Sequence, residues 1–132
     1  MGLPGSGKTT LASKLAQLLD ACWYNADEIR KLHNDWDFSP AGRIRQAQRL
    51  AALCDLHQSD QVIADFVAAL PEQRDIFAAD FTVWMDTIAE GRFEDTNKAF
   101  IPPENYDVRV TEQNAEKWSN IIASKLLAYR NQ

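Results

Sequence analysis

The chain has 132 residues, of which 45% are hydrophobic and 25% charged, enough for one hydrophobic core and too few for two. A net charge of -5 argues against an extended nucleic-acid surface. Because no apolar run approaches the ~18 residues needed to cross a bilayer, and the first residues do not form a signal peptide, we expect a single cytoplasmic domain over residues 1–132.

A phosphate-binding sequence opens the chain. Residues 2–9 read Gly-Leu-Pro-Gly-Ser-Gly-Lys-Thr, a complete G-x-x-x-x-G-K-[ST] motif. In such a loop backbone N–H groups converge on an anion, a lysine reaches the β- and γ-phosphates, and a hydroxyl ligates Mg²⁺. The expected ligand is therefore Mg-ATP, with Lys8 as the catalytic cation and Thr9 as a metal ligand. The expected nucleotide-binding residues are Gly2, Pro4, Gly5, Ser6, Gly7, Lys8, Thr9 and Thr10.

Helices and strands are predicted to alternate after this loop. A helix from about Thr9 to Leu19 has an apolar face that includes Leu18, and residues 21–24 form a short buried strand. Asn25 can cap the next short helix. The later elements are a helix opened by Ser39-Pro40 and ending near His57, a strand over 61–67, a short helix after Pro71, a strand over 81–85, a loop over 91–105, a strand over 106–110 and a helix over 114–129. This order predicts an α/β fold with a three-layer parallel sheet.

The beginning of the chain departs from the usual context of a phosphate loop. Such a loop normally leaves the end of a buried central strand, whereas only Met1 precedes it here. We therefore expect the sheet to lack its first strand and the native reading frame to begin upstream. The strands over 61–67 and 81–85 should then leave a gap, collapse together, or accept a strand from another chain, so a homo-oligomer is one expected outcome.

Several charged residues have two readings from the pattern alone. Asp65 ends an apolar strand, where a carboxylate can hold Mg²⁺ through water or cap the next turn. Asp27 and Arg30 lie three residues apart on one helix. They form either a solvated ion pair or a carboxylate and a guanidinium that contact a phosphoryl acceptor. Arg43 belongs either to an exposed helix face or to a ligand site, and Phe38 either to the core or to a ligand.

Four segments together resemble adenylylsulfate kinase. They are the loop, Asn-Ala-Asp-Glu-Ile-Arg at 25–30, Phe-Ser-Pro at 38–40 followed by Arg43, and Pro-Glu-Asn at 103–105. The resemblance covers most of the chain. It implies a P-loop kinase fold, the cofactors ATP and Mg²⁺, and transfer of the γ-phosphate to the 3′-hydroxyl of adenylylsulfate, the small-molecule partner, in sulfate activation.

The same resemblance implies roles for individual residues. Asp27 would receive the proton of the acceptor hydroxyl or help to hold Mg²⁺, and Arg30 and Arg43 would bind the phosphosulfate. Phe38 would stack on the acceptor's adenine. The resemblance implies three further substrate-binding residues. They are Gln46 and the two cations of the lid, the segment over residues 90–100, which are Arg92 and Lys98. Asp65, with Thr9, completes the expected metal site.

The chain also departs from that family. Asn25 and Ala26 stand where the family has Asp and Gly, and Asp65-Phe66-Val67-Ala68 replaces a segment that would carry an arginine, for which Arg74 is the candidate substitute. The lid is short. Its Phe-Glu-Asp-Thr-Asn-Lys sequence resembles adenylylsulfate-kinase-like proteins of phages and marine bacteria.

Two other functions stay open. Residues 24–30 also resemble the N-x-D-x-x-R segment of polynucleotide 5′-kinases, although the acidity of the chain disfavours a nucleic-acid partner. The second alternative is a truncated nucleotide-binding module without activity. Dependence of ATP consumption on the acceptor distinguishes the three readings.

Overall fold

The computed structural model describes residues 1–57 and 61–131. Helices and strands alternate as predicted, and the fold class is α/β. In chain order the elements are α1 (Lys8–Leu19), β1 (Cys22–Asn25), α2 (Ala26–His33), α3 (Pro40–Asp55), β2 (Val62–Asp65), α4 (Pro71–Phe77), β3 (Val83–Met85), α5 (Glu94–Ala99), β4 (Val108–Val110) and α6 (Ala115–Arg130). None of the helices in the described ranges has the length and apolar character needed to cross a membrane.

Three polar residues start helices in the way their positions predict. The side chains of Asn25, Ser39 and Asn114 accept hydrogen bonds from backbone N–H groups three residues later, at 3.1, 3.2 and 3.1 Å. Each bond satisfies one of the N–H groups that a helix leaves unpaired at its start. Helices α2, α3 and α6 therefore begin where their capping residues place them.

Two predictions about single elements were wrong. Residues 91–105, predicted as a loop, contain α5, whose first turn carries Glu94 and Asp95. Acidic side chains at a helix N-terminus interact favourably with the helix dipole, which helps this short helix to form. Leu18 is 51% exposed rather than part of the apolar face of α1, because α1 buries only Leu11, Ala12 and Leu15 against the sheet.

The strands form two separate parallel pairs. β1 pairs with β2, and β3 pairs with β4. Among the described residues, only Met1 and Gly2 lie between the pairs. The Met1 amino group donates to the Val83 carbonyl at 2.8 Å, and Gly2 N–H donates to the Val67 carbonyl at 3.3 Å. Strands β2 and β3 have therefore neither collapsed together nor paired. Within this chain the structure shows the expected gap, and acceptance of a strand from another chain stays a prediction.

The core follows this division of the sheet. One apolar cluster packs α1 and α6 against β3 and β4, with Leu11, Met85 and Ile122 among its buried members. The second packs α2 and α3 against the end of β2, and Ala47 and Leu50 are fully buried there. The carboxyl ends of β2 and β3 both point toward the phosphate loop, where parallel sheets of this kind place their ligands.

Candidate functional site

The phosphate loop is braced on its outer side by two residues from the second half of the chain. Thr87 donates a hydrogen bond from Oγ1 to the Ser6 carbonyl at 2.7 Å, and Gln113 donates from Nε2 to the Gly5 carbonyl at 3.0 Å. These bonds occupy carbonyl oxygens of the loop. A loop whose carbonyls are engaged elsewhere can direct its N–H groups toward an anion.

Two glycines allow this loop to form. Gly7 has φ 98° and precedes the first residue of α1, a backbone conformation that side chains with a Cβ rarely adopt. A Cβ on Gly2 would lie 2.7 Å from the Met85 carbonyl oxygen, so only glycine permits the approach of the loop to β3. Pro4, Gly5, Ser6 and Gly7 then bring the chain to the N-terminus of α1, where Lys8, Thr9 and Thr10 form the first turn.

Lys8 lies at the centre of this arrangement. Its ammonium group donates to the Leu3 carbonyl at 3.0 Å, within the loop itself. Burial lowers the pKa of Lys8, the carboxylates of Asp65 and Asp27 oppose that shift, and the guanidinium of Arg92 adds to it. The charges of the predicted metal ligand, the predicted acceptor base and a predicted lid cation therefore all act on this lysine.

Thr9, Asp65 and Asn25 form a hydrogen-bonded triangle beside the loop. Thr9 Oγ1 lies 3.0 Å from Asp65 Oδ2, and Asn25 Nδ2 donates to Asp65 Oδ2 at 2.9 Å and to Thr9 Oγ1 at 3.2 Å. The parallel register of β1 and β2 places Asn25 directly beside Asp65, and α1 supplies the threonine. Three elements thus meet at the two residues predicted to bind a metal.

The triangle suits Mg²⁺ rather than a metal held by protein side chains alone. Within residues 1–57 and 61–131 there is no cluster of three or more His, Cys, Asp or Glu residues that could hold a metal ion. One hydroxyl and one carboxylate are the few protein ligands that Mg²⁺ takes when substrate phosphates and water supply the rest. Thr9 and Asp65 therefore fit the ion that the phosphate loop implies.

A cavity of about 530 Å³, here called the Phe38 cavity, lies beside the segment between α2 and α3. Phe38 lines it and is 48% exposed, and the guanidinium carbons of Arg30 and Arg43 lie 4.2 and 5.6 Å from the centre of its ring. Gly42 lets this segment pack against α3, since a Cβ there would lie 2.1 Å from the Asp37 carbonyl oxygen. The other lining residues are Trp36, Ser39, Pro40, Leu70, Asp95 and Ala99.

The two arginines in this region are buried without a carboxylate hydrogen-bond partner among the described residues. Arg30 is 4% exposed and donates to the carbonyls of Asp35 and Asp37, at 3.1 and 3.0 Å. Arg43 is 5% exposed and donates to the Phe38 carbonyl and to Thr96 Oγ1, at 2.8 and 3.2 Å. Burial is the main cause that lowers the pKa of both guanidinium groups.

The neighbouring arginines of α3 contrast with this pair. Arg45 and Arg49 each lie 2.7 Å from Asp35 Oδ2, and Arg45 also contacts Asp37 at 3.1 Å. These ion pairs lower the pKa of Asp35. The two more exposed arginines thus hold the 35–37 segment, while the buried Arg30 and Arg43 donate their hydrogen bonds to carbonyl and hydroxyl oxygens.

The remaining predicted substrate residues take different positions. Asp27 is exposed on the first turn of α2 and contributes to the charge around Lys8. Gln46 is 2% exposed and donates to the Ala26 carbonyl at 2.9 Å, so it fixes the start of α2 from inside. Arg92 is exposed in the segment before α5, whereas Lys98 faces solvent on α5 and lies 3.5 Å from Glu94. Lys98 is therefore not brought together with the others.

Arg74, the candidate substitute for the absent arginine, donates its hydrogen bonds to backbone carbonyls. It bonds to the carbonyls of Ala68 and Ala69 at 2.9 and 3.3 Å and also to the Ile101 carbonyl. These bonds tie the loop after β2 to the chain after α5. Arg74 therefore holds residue 101, just after the predicted lid, against the loop that follows β2, and it does not line the Phe38 cavity.

Several residues of the site were missed from the sequence. Thr96 receives a hydrogen bond from Arg43, Gln73 donates to the Arg43 carbonyl at 3.2 Å, and Thr87 and Gln113 brace the loop. Thr96 lies in the Phe-Glu-Asp-Thr-Asn-Lys sequence of the lid but was given no role there, and the other three belong to no local motif. A further signal is the place of Thr87 just after a predicted strand, where side chains of parallel sheets meet a ligand.

The chain has a P-loop kinase fold. No protein-family model matches the chain. A probable gluconokinase from Xenopus tropicalis is 38% identical over 58 residues, a match that spans 44% of this chain and 30% of the length of that relative.

The fold is adenylylsulfate kinase-like, as the sequence predicted. The structure of Mycobacterium tuberculosis APS kinase CysC in complex with AMPPNP and APS has a TM-score of 0.78 and 22% identity, and covers 96% of this chain and 94% of that one. A mutant of the same enzyme has a TM-score of 0.73 and 25% identity, covering 96% and 92%.

Asn25 provides a direct test of the triangle. In Asn25→Asp the helix cap is kept, because Asp and Asn cap equally well, but a second carboxylate comes to lie beside Asp65. We expect a melting temperature several degrees below that of the parent chain without Mg²⁺, and a larger gain on adding Mg²⁺.

Glu28→Gln, an exposed neighbour on the same turn of α2, serves as the control for that experiment and should leave both values unchanged. An Asn25→Asp chain that melts like the parent and gains no more from Mg²⁺ would contradict the proposed metal position.

Proposed function

We propose that the chain is an ATP-dependent kinase that transfers the γ-phosphate to the 3′-hydroxyl of adenylylsulfate. The choice of adenylylsulfate as the acceptor is supported by the pair of buried arginines, Arg30 and Arg43, beside the exposed ring of Phe38. Two desolvated cations that donate no hydrogen bond to a carboxylate among the described residues favour a dianionic group, and an exposed aromatic ring at the same place favours a flat base. Adenylylsulfate carries both.

The nucleotide is held by the loop in this proposal. Gly2, Pro4, Gly5, Ser6, Gly7 and Thr10 shape the backbone around the phosphates, and Lys8 moves its hydrogen bond from the Leu3 carbonyl to the phosphate oxygens. Thr9 and Asp65 would hold Mg²⁺, which when bound neutralises charge on the β- and γ-phosphates. Support comes from the AMPPNP in the APS kinase structure.

The chemical step requires little more than position and charge. The acceptor oxygen attacks the γ-phosphorus, the bond from that phosphorus to the bridging oxygen of ADP breaks, and the acceptor proton passes to the Asp27 carboxylate. Arg30 and Arg43 hold the acceptor's anionic groups, Phe38 its base, and Gln46 the start of the helix that carries Asp27. Arg92 neutralises the transferring phosphate from the lid side.

A screen of acceptors with Mg-ATP tests this function. We expect ATP consumption to depend on adenylylsulfate and to fall to background in Lys8→Ala, because Lys8 carries charge onto the phosphates. Lys14→Ala, an exposed lysine on the same helix, is the matched control and should retain full turnover.

The other arms of the same screen identify the alternatives. Dependence on gluconate would favour the acceptor of the gluconokinase relative, and dependence on a 5′-hydroxyl oligonucleotide would favour a polynucleotide kinase. Nucleotide binding without turnover on any acceptor would indicate a binding module and overturn the proposal.

Asp27 separates the acceptor side from the nucleotide side. Asp27→Asn should lower kcat by a factor of ~10² or more and leave ATP affinity within about twofold, since a base acts in the transition state and contributes little to nucleotide binding. Glu28→Gln should change neither value. A parallel loss of ATP affinity would make Asp27 a ligand of the metal instead.

The two lid cations make a matched pair for the role of Arg92. Arg92 adds to the positive field at Lys8, whereas Lys98 faces solvent beside Glu94. We expect Arg92→Ala to lower kcat by ~10² or more and Lys98→Ala to change it less than about twofold. Equal effects of the two substitutions in a steady-state assay would remove Arg92 from the transition state.

A further inference from the structure

The stretch of chain that follows β3 lies along the phosphate loop. Thr87 donates a hydrogen bond to the Ser6 carbonyl at 2.7 Å, and farther along the stretch Gly91 comes close to Pro4. A Cβ on Gly91 would lie 2.9 Å from the Pro4 carbonyl oxygen, so this approach favours a residue without a side chain. Residues 87–91, here called the loop wall, therefore touch the phosphate loop at both of their ends.

The side chain of Asn97 on α5 holds both backbone groups of Gly91. Gly91 N–H donates to Asn97 Oδ1 at 2.8 Å, and Asn97 Nδ2 donates to the Gly91 carbonyl at 2.9 Å. One side-chain amide thus forms a closed pair of hydrogen bonds with one residue of the backbone. Because each bond is directional, the pair fixes the orientation of Gly91 as well as its distance from α5.

Helix α5 is itself fixed on the side away from the loop wall. Thr96, the neighbour of Asn97, is 6% exposed and accepts a hydrogen bond from Arg43 Nη2 at 3.2 Å. Just after the helix, Ile101 N–H donates to the Ala69 carbonyl at 2.9 Å. Two adjacent residues of α5 therefore contact the arginine of the proposed acceptor site and the end of the loop wall.

Arg92 leaves the loop wall directly after the clamped Gly91. Its side chain is exposed, and its guanidinium carbon lies 5.3 Å from the centre of the Phe93 ring. Burial is the main cause that lowers the pKa of Lys8, and the charge of Arg92 adds to that shift, so the field of Arg92 reaches the phosphate loop. Where the guanidinium can reach depends on where the backbone at 91 and 92 is held.

We propose that Asn97 is a positioning residue for phosphoryl transfer, which clamps Gly91 against Pro4 and so places Arg92 beside the phosphate that Lys8 contacts. The proposal rests on the function proposed above, in which Arg92 neutralises the transferring phosphate. Asn97 itself touches neither the nucleotide nor the acceptor and acts through the backbone of the lid. A group that must meet a transferring phosphate has to be held in place before the reaction, because small displacements cost rate.

A double-mutant cycle between Asn97 and Arg92 tests this role, with the acceptor that the screen identifies. Asn97→Ala should lower kcat on the order of tenfold or more and leave the dissociation constant of ATP within about twofold, because Arg92 is displaced while the phosphate loop is kept. In a chain that already carries Arg92→Ala, the same substitution should lower kcat less than about twofold.

An asparagine of α6 supplies the matched control. Asn120 is exposed and donates from Nδ2 to the Glu116 carbonyl at 2.8 Å, within its own helix. Asn120→Ala should change neither kcat nor the affinity for ATP. Hydrogen exchange locates the effect of the test variant: in Asn97→Ala the Gly91 amide should exchange faster, whereas α1 and β3 should keep the protection of the parent chain.

Gly91→Ala displaces the loop wall while Asn97 is kept. Its Cβ would meet the Pro4 carbonyl, so the wall must move away from the phosphate loop. We expect a loss of kcat similar to that of Asn97→Ala, and again little further loss in a chain that carries Arg92→Ala. If Asn97→Ala does not fold, the cycle between Gly91→Ala and Arg92→Ala decides the question.

The outcomes separate the positioning role from a structural role and from the function on which it rests. Losses of kcat that add in the double variants would overturn the positioning role, and so would a lower melting temperature of Asn97→Ala with an unchanged kcat. In both cases the parent chain still turns over its acceptor, so the proposed function stands. A parent chain without turnover on any acceptor would overturn the proposed function, and the role of Asn97 with it.

Discussion

The contact between Gly2 and β3 is the constraint on which the rest of the molecule depends. It lies at the single place in the described residues where the two strand pairs are bridged by hydrogen bonds, and it is also where the phosphate loop begins. The absence of a Cβ lets the loop approach the Met85 carbonyl, and the carbonyl of Val67 fixes the other side. The position of the nucleotide site is therefore set by backbone geometry before any charged side chain contributes.

Charge is then distributed unevenly around that point. The chain is acidic as a whole, yet Arg30 and Arg43 are buried and Lys8 is half-buried, and their hydrogen bonds go to carbonyl or hydroxyl oxygens. The Asp35 carboxylate pairs instead with Arg45, on the exposed side of α3. Burial of these cations costs free energy, and an anionic ligand would offset that cost. The proposed anion site thus has a physical basis inside an acidic protein.

Local signals predicted much of the fold, and the residues missed are those placed by non-local contacts. Asn25 shows both cases. Its role as a helix cap follows from the residues after it, and the structure has that bond. Its amide bonds to Thr9 and Asp65 depend on the register of β1 against β2, which a single sequence does not specify. An asparagine at this place keeps Asp65 as the single carboxylate of the triangle, whereas the resembled family's pattern has an acid.

The same division applies to the arginines of α3. Their spacing predicts only which of them share a helix face, and Arg43 was compatible with an exposed helix face or with a ligand site. What separates them is the 35–37 segment, whose close packing on Gly42 provides a carboxylate for the outer two and carbonyls for the buried Arg30. That packing arises from a contact between a loop and a helix glycine, for which the sequence has no periodic signature.

The triangle of Thr9, Asn25 and Asp65 and the backbone contacts of Arg74 both depend on β2 and the residues after it. The stability of this strand is therefore relevant to the proposed function. Its last residue, Asp65, completes the hydrogen-bonded triangle with Thr9 and Asn25, and the segment after it supplies the Ala68 and Ala69 carbonyls as acceptors for Arg74. Yet β2 forms a ladder with β1 alone in the part of the chain that the structure describes. Any contact that pairs its second edge restricts the motion of Asp65 relative to Thr9, and so reduces the ordering that nucleotide binding must otherwise impose. Strand pairing at the centre of the sheet and ligand binding at its carboxyl edge are thus thermodynamically coupled through one short strand.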